Sequence, residues 1–177
     1  MTIRSGGIRR KAKKIPQEKL LLAALVAGVS LAVPYLYQHA VHRETIASQA
    51  GFVERVIDGD TAVLTGGERV RYIGIDTPEL HHPKKPVEYY AREAKEFNRQ
   101  LVEGKKVRLE FDVDRRDKYK RLLAYVFLED GTFVNAELLR QGYAQLLTVP
   151  PNVKYTDLFV QCQKEAREAN RGLWGKR

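Results

Sequence analysis

Between positions 52 and 75, short stretches rich in β-branched and apolar residues alternate with turns that contain glycine. The first turn is Asp58-Gly59-Asp60, and the second is Gly66-Gly67, a dipeptide typical of two-residue β-hairpins. The pattern therefore predicts a three-stranded meander, with strands at 52–57, 61–65 and 68–75.

Helical and strand patterns follow one another along the rest of the chain. The predicted elements are a helix from Pro86 that ends at Gly104, strands at 107–111 and 122–127, a short helix capped by Asn135, and a final helix at about 154–171. Five short strands with a helix interposed after the third match a Greek-key barrel of the OB type, an α+β fold with three packed helices. This architecture is typical of oligonucleotide binding, but a fold alone does not define a function.

The formal net charge of +9 is concentrated at the N-terminus. Residues 1–19 contain seven Lys or Arg and one Glu, which gives 7 − 1 = +6, so the other 158 residues carry 9 − 6 = +3. Overall basicity is thus weak support for a nucleic-acid partner. The single cysteine, Cys162, excludes an intrachain disulfide, and its position on an apolar helical stripe with Leu158 and Phe159 predicts a buried structural thiol.

The segment Leu20 to Tyr37 has eighteen residues without a charge, about 27 Å as an α-helix, which is enough to span a hydrocarbon core. We predict a transmembrane signal anchor. A cleaved signal peptide is the alternative, although the residues that follow offer no clear small-x-small cleavage site. Because the positive charge precedes the span, the N-terminus is expected in the cytoplasm and the rest of the chain outside it. In a eukaryote the membrane could instead be mitochondrial.

These observations predict four consecutive regions. They are a basic cytoplasmic segment at 1–19, a single transmembrane helix at 20–37, a linker at 38–50 and a folded domain at 51–177. The protein would therefore contact a membrane through its N-terminal helix, and no protein partner is indicated.

The meander carries an unusual set of charged residues. The turns on either side of its hairpin are acidic, with Asp58 and Asp60 before the hairpin and Asp76 and Glu79 after it. Acids are common in turns, but Arg71 shares an apolar strand face with two isoleucines, and a charge there usually has a buried partner or a ligand. Carboxylates beside an arginine suit a hard cation and a phosphate that meet on one surface. Strict strand alternation separates Arg71 from Asp76, so the strand must bend, and Gly74 is the expected position.

Two loops add further candidates. The charged loop at 112–121 brings Lys118, Tyr119 and Arg121 together, the combination of cations and an aromatic ring that a nucleotide site needs. The loop after Leu80 contains His81 and His82, which we interpret as solvent-facing residues near a polyanion rather than as metal ligands, because no Cys or third His has a suitable spacing.

Taken in order, the motifs resemble the staphylococcal nuclease (thermonuclease) family over residues 52 to 174. They are V-I-D-G-D-T, R-Y-I-G-I-D-T-P-E, H-P-K-K, D-K-Y-K-R with L-A-Y, V-N-A-E-L-L-R-Q-G and a terminal G-L-W. One such motif is weak, but this many at near-family spacing are specific. The N-terminal segment lies outside the resemblance.

The resemblance implies a Ca²⁺ site. Asp60 and Asp76 would bind the ion through their carboxylates, and Thr77 through its backbone carbonyl. Asp58 matches an acid beside that site that is not a direct ligand. Oxygen-only ligands favour Ca²⁺ or Mg²⁺ over zinc.

The resemblance also implies roles in the reaction and in substrate binding. Glu79 matches the residue that activates or positions the attacking water. Arg71 and Arg121 match the arginines that hold the phosphate and stabilise its transition state, which is the chemistry that an anionic phosphodiester requires. Lys118 and Tyr119 match groups that line the nucleotide site.

The sequence thus predicts a membrane-anchored, Ca²⁺-dependent nuclease that cleaves DNA and RNA with little sequence preference, because phosphate-directed groups dominate the site. One alternative is a catalytically weak or inactive nucleic-acid-binding module tethered to the membrane, and another is a membrane-surface adaptor that acts through its basic tail. The chain departs from the family pattern at Leu147 and Val149, where aromatic residues are expected, and at Pro86, where glycine is familiar.

Overall fold

The structure is a computed structural model, and it describes residues 48–80 and 86–175. The predicted span at 20–37, the linker before residue 48 and the loop with His81 and His82 lie outside these residues. Within the described ranges, none of the helices has the length and apolar character that crossing a bilayer requires.

Five strands close into a barrel in the order β1-β2-β3-β6-β5. These strands are β1 (Ser48–Asp58), β2 (Thr61–Leu64), β3 (Arg69–Tyr72), β5 (Lys106–Glu110) and β6 (Leu122–Leu128), and two further strands, β4 (Ile75–Asp76) and β7 (Gln145–Leu146), pair with each other outside the barrel. Neighbouring barrel strands are antiparallel, except that β3 pairs with β6 in parallel. The helices are α1 (Ala91–Val102), α2 (Val134–Arg140) and α3 (Thr156–Glu168), followed by a 3₁₀ turn at Gly172–Trp174. The predicted α+β barrel of the OB type with three helices is confirmed.

The core lies inside the barrel and beneath the helices. Alternate residues of β5, Val107 and Leu109, are buried while their neighbours face solvent, as period-two alternation requires. Helix α2 is buried at five of its seven positions, because it packs against both β6 and α3. Cys162 of α3 is fully buried, as predicted, whereas Leu158, which was predicted on the same apolar stripe, is exposed.

Three predicted boundaries are wrong. The first strand begins at Ser48 rather than at residue 52, because residues 48–50, which were predicted as linker, pair with β5. The third strand does not continue from 68 to 75, because residues 73 and 74 form a turn that separates β3 from β4. Helix α1 does not start at Pro86. Tyr90 adopts a left-handed conformation with φ of 70°, which interrupts the helix, and the Glu88 N–H donates to the Glu79 carbonyl instead of continuing a helical turn.

Asn135 is not the cap of the short helix. It lies inside α2, fully buried, and Phe133 occupies the N-cap position. Its side-chain amide accepts a hydrogen bond from the Val126 N–H and donates one to the Ile73 carbonyl, both at 2.9 Å. Asn135 therefore joins β6 to the turn that separates β3 from β4. Its position at the start of a helix predicted a cap, but tertiary hydrogen bonds engage its amide.

Candidate active site

The guanidinium of Arg71 lies at the junction of four acceptors at the end of β3. Nη1 donates to the carbonyls of Tyr72 and Ile75, each at 2.7 Å. Nη2 donates to Asp76 Oδ1 at 2.8 Å and lies 3.1 Å from Asp60 Oδ2. The side chain is only 13% exposed. Arg71 is thus the buried partner of two carboxylates, which is what a charge on an apolar strand face indicated.

A bend at Gly74 makes this arrangement possible. Gly74 has φ of +81°, which is strained for any residue with a side chain, and a Cβ there would run into the Phe159 ring. The bend directs the chain into β4, where Ile75 pairs with Leu146 of β7. The bend predicted near Gly74 is confirmed, and it brings Asp76 to the same side as Arg71.

Asp60 is buried between β1 and β2, and several donors orient its carboxylate. Oδ1 accepts from the Thr61 hydroxyl at 2.9 Å. Oδ2 accepts from the Thr77 N–H at 3.0 Å and from the Thr77 hydroxyl at 3.1 Å. Gly59 permits this contact, because a Cβ at that position would lie 2.8 Å from the Thr77 side chain. Asp60, Asp76 and Thr77, the three predicted cation ligands, are therefore neighbours.

Glu79 lies close enough to these carboxylates and to Arg71 to interact with their charges. Partial burial raises the pKa of its carboxyl above the ordinary value, and Arg71 opposes the increase. Repulsion from three neighbouring carboxylates adds to the rise in pKa: those of Asp58, Asp60 and Asp76. The Glu79 N–H donates to Glu88 Oε2 at 3.1 Å. Glu88, which lies just before α1, therefore fixes the backbone at Glu79.

The pKa of Asp76 is raised as well. Burial is the main cause, and the Asp60 and Glu88 carboxylates add to it, while Arg71 acts in the opposite direction. Negative charge thus exceeds positive charge around Arg71, which favours an additional cation. The donors present are carboxylate, hydroxyl and carbonyl oxygens, which are the ligands that Ca²⁺ prefers. Among residues 48–80 and 86–175, however, no three Asp, Glu, His or Cys side chains converge closely enough to hold a metal ion on their own.

A cavity of about 590 Å³ opens beside Arg71. It is lined by residues from the end of β3 and the following bend, from the loop at 112–121 and from the segment at 147–152. Arg71, Lys118, Tyr119 and Arg121 all line it. The structure therefore brings both predicted phosphate-binding arginines and both predicted nucleotide-binding residues to one cavity.

Arg121 is oriented by Asp117 at the end of the charged loop. Its Nε donates to Asp117 Oδ2 at 2.6 Å, and its backbone N–H donates to Asp117 Oδ1 at 3.0 Å. Burial acts to raise the pKa of Asp117, but the hydrogen bonds and the charge of Arg121, together with a hydrogen bond from the Tyr119 N–H, outweigh it, so the pKa lies below its ordinary value. The Arg121 guanidinium carbon lies 5.5 Å, and Lys118 Nζ 5.0 Å, from the centre of the Tyr119 ring, which is 68% exposed. The loop therefore presents two cations around an accessible aromatic ring.

The structure also identifies site residues that the sequence reasoning missed. Asp117 holds Arg121 across a turn of the loop, where a spacing of four residues carries no helical pairing signal. Asn152 joins two of the segments that line the cavity, and a single asparagine after two prolines carries no such signal. Glu88 contacts the Glu79 N–H across a loop, again without a sequence pattern.

The barrel and this site define an OB-type domain with carboxylates and two arginines beside one cavity, which suits an anionic ligand. A family model for staphylococcal nuclease homologues matches residues 69–176, more than half of the chain. The chain belongs to the staphylococcal nuclease family, as its motifs predicted.

Curated relatives agree with this assignment. The thermonuclease of Staphylococcus intermedius is 39% identical over 168 residues, which are 92% of this chain and 98% of that protein. The thermonuclease of Staphylococcus hyicus is 34% identical over 87% of this chain and 95% of that protein. Endonuclease YncB of Bacillus subtilis (strain 168) is 44% identical over 70% of this chain, which spans 61% of that longer protein.

Proposed function

We propose that this protein is a Ca²⁺-dependent nuclease that hydrolyses phosphodiester bonds of DNA and RNA with little sequence preference. Its relatives are named thermonuclease and endonuclease, which supports phosphodiester hydrolysis. The observation that carries the proposal is the position of Arg71. This arginine bridges the carboxylates of Asp60 and Asp76 and also lines the cavity that contains Arg121.

The residues beside Arg71 fit a hard cation. The carboxylates of Asp60 and Asp76 and the backbone carbonyl of Thr77 would hold Ca²⁺, because they are oxygen donors on neighbouring segments with excess negative charge. A bound Ca²⁺ would supply a positive charge that polarises the phosphoryl group.

The protein's own groups account for the rest of the chemistry. Arg71 and Arg121 would donate hydrogen bonds to the non-bridging phosphate oxygens, and these bonds strengthen as negative charge builds in the transition state. The Glu79 carboxylate would accept a proton from the attacking water. The water oxygen then bonds to phosphorus as the bond to the leaving ester oxygen breaks; that oxygen keeps the electron pair and takes a proton from solvent water.

The substrate would be held mainly through its phosphates. Lys118 lies in the cavity as a second cation near Arg121, and the exposed ring of Tyr119 offers a face on which a base can stack. Stacking and phosphate contacts tolerate every base, so little sequence preference is expected.

One experiment separates catalysis from binding alone. The purified protein is incubated with single-stranded DNA and with RNA, in Ca²⁺ or in chelator, and the same assay is run on Glu79→Gln. We expect cleavage only with Ca²⁺ and a loss of at least about 100-fold in kcat for Glu79→Gln. The matched control is Glu93→Gln, which makes the same change at an exposed position in the first turn of α1, outside the site. We expect it to retain activity.

Two results would reject the proposal. Absence of Ca²⁺-dependent cleavage at neutral and alkaline pH rules out the enzyme. Salt-dependent binding without turnover, unchanged in Glu79→Gln, would instead support the nucleic-acid-binding module.

We also propose that the uncharged segment at 20–37 anchors the protein in a membrane, with residues 1–19 in the cytoplasm and the nuclease domain on the other side. Carbonate extraction of membranes from expressing cells tests the anchor, and protease added outside intact spheroplasts tests the orientation. Release of the full-length chain by carbonate would contradict the anchor, and protection of the domain from the protease would contradict the orientation.

A further inference from the structure

Two of the segments that line the cavity, the loop at 112–121 and the segment at 147–152, are joined by one buried side chain. We infer that Asn152 is a positioning residue for phosphodiester hydrolysis, because its amide holds these two segments together and thereby sets the affinity for the nucleic acid. This inference rests on the proposed function and names a residue with no part in the chemistry itself.

The Asn152 amide makes a paired contact with the backbone of Asp114. Its Oδ1 accepts from the Asp114 N–H, and its Nδ2 donates to the Asp114 carbonyl, both at 2.8 Å. Asn152 is only 6% exposed although it lines the cavity. The Asn152 N–H also donates to the Val149 carbonyl, which closes a tight turn. The amide is therefore engaged with the protein backbone, which suits a tether between segments rather than a ligand contact.

The tether acts on the cations through a short path. Asp114 lies three residues before Asp117, and Asp117 orients Arg121 through two hydrogen bonds. Lys118 and Tyr119 follow Asp117 in the chain, and both line the cavity. A shift at Asp114 would therefore displace the groups that contact the phosphate and the base.

The loop at 112–121 has other attachments, but they lead to parts of the chain other than 147–152. The Tyr125 hydroxyl donates to Asp112 Oδ2 at 2.9 Å in a partly buried contact, and the Leu123 N–H donates to the Arg115 carbonyl at 2.9 Å, so both join the loop to β6. Arg116 donates to both oxygens of Glu68, at 2.8 and 3.1 Å, with each side chain more than 40% exposed. Exposed ion pairs contribute little. Asp112 accepts from the Lys154 N–H at 3.1 Å in a contact that is also exposed. The Asn152 amide is the buried connection between the two segments, so its loss should have the larger effect.

The test measures cleavage of single-stranded DNA by Asn152→Ala and Asn152→Leu. Asn152→Leu retains most of the side-chain volume and removes both hydrogen bonds, so it remains informative where the alanine variant does not fold. We expect KM to rise about tenfold, which corresponds to about 1.4 kcal/mol of binding free energy. We expect kcat to fall less than KM rises, because Arg71 and Glu79 lie on other segments.

A matched control separates positioning from stability. Val102 is fully buried in α1 and does not line the cavity, so Val102→Ala lowers stability without loosening either segment. Amide hydrogen exchange should speed up at 112–121 and 147–152 in the Asn152 variants, but not in Val102→Ala. An equal rise in KM for Val102→Ala, or an unchanged KM in both Asn152 variants, would overturn the inference.

A binding measurement tests the role of Asn152 even if the protein does not cleave nucleic acid. A fluorescent phosphorothioate single strand, which resists cleavage, is titrated in Ca²⁺ and followed by anisotropy. An absence of cleavage by the unmodified protein counts against the proposed function alone. An unchanged Kd for the phosphorothioate strand in the Asn152 variants would then overturn the positioning role as well.

Discussion

Arg71 and Asp76 are five residues apart and lie on two different strands, yet Arg71 Nη2 is 2.8 Å from Asp76 Oδ1. Regular strand alternation would place these side chains on opposite faces of a sheet. The turn at residues 73 and 74 brings them together, and the Asn135 amide bonds to the Ile73 carbonyl within that turn. The candidate site therefore depends on a backbone conformation as much as on its charged residues.

Substitution of Gly74 tests this dependence. Gly74→Ala places a side chain at φ of +81° and against Phe159, whereas Gly67→Ala at φ of +84° meets nothing within 4 Å. We expect the control to cost about 1 kcal/mol in the free energy of unfolding. We expect Gly74→Ala to cost about 1–3 kcal/mol more from overpacking, and to reduce kcat because Arg71 and Asp76 lose alignment. Urea denaturation and the cleavage assay measure both effects. Equal costs at the two glycines would show that the contact with Phe159 is unimportant.

The parts of the fold that the sequence predicted are those with a local pattern. Alternating apolar residues such as Val107 and Leu109 predicted the strands, and the need to bring Arg71 to Asp76 predicted a bend at Gly74. The start of helix α1 was wrong because Tyr90 is left-handed, and only glycine signals that conformation reliably.

The parts that could not be predicted depend on contacts between distant residues. Asn152 bonds to Asp114 across 38 residues, and Asn135 bonds to Ile73 across 62, so neither leaves a periodic signal. The roles of Glu79 and Arg121 were predicted from the family motifs and not from their spacing. The structure shows which groups surround them. Those roles stay predictions until the variants are assayed.

Calcium should stabilise the protein through Asp60. A ligand that binds only the folded state adds about 2.7 kcal/mol to the free energy of unfolding at 100 times its Kd. We expect Tm to rise with Ca²⁺ at constant ionic strength, and we expect this rise to be lost in Asp60→Asn. Asp130→Asn is the control, because it removes one carboxylate charge from a remote turn and keeps an acceptor for the Thr132 N–H. A Ca²⁺-dependent rise in Tm that persists in Asp60→Asn would exclude Asp60 as a ligand.

The ion pair between Asp117 and Arg121 should make stability depend on pH in acid. The pKa of Asp117 is below its ordinary value of about 3.8 in the folded protein, so the carboxylate stabilises the fold above that value. The stabilisation is lost as pH falls through the lowered pKa. We expect Asp117→Asn to cost about 0.5–1 kcal/mol at pH 7, because the pair is partly exposed. The difference from the unmodified protein should shrink below about pH 4. Urea titrations of both proteins at pH 7, 4 and 3 measure it, and a difference that is constant with pH would contradict the assignment.

An aromatic residue at position 149 should tighten nucleic-acid binding. Val149 lines the cavity beside the cationic loop and is 58% exposed, so it offers a base little surface for stacking. Stacking on an aromatic side chain contributes about 1–3 kcal/mol per base. We expect Val149→Tyr to lower the Kd for a phosphorothioate single strand by roughly fivefold, which corresponds to about 1 kcal/mol.

Val160→Tyr is the matched control for this substitution. Val160 is 47% exposed on α3 and does not line the cavity, so the same change there adds an aromatic ring away from the substrate. We expect its Kd to equal that of the unmodified protein. The gain at position 149 should persist at high salt, because stacking does not depend on counterion release, whereas the phosphate contacts of Lys118 and Arg121 weaken as salt is added. A gain of equal size at both positions would indicate nonspecific binding to tyrosine, and a gain at neither would show that the base does not reach the 147–152 segment.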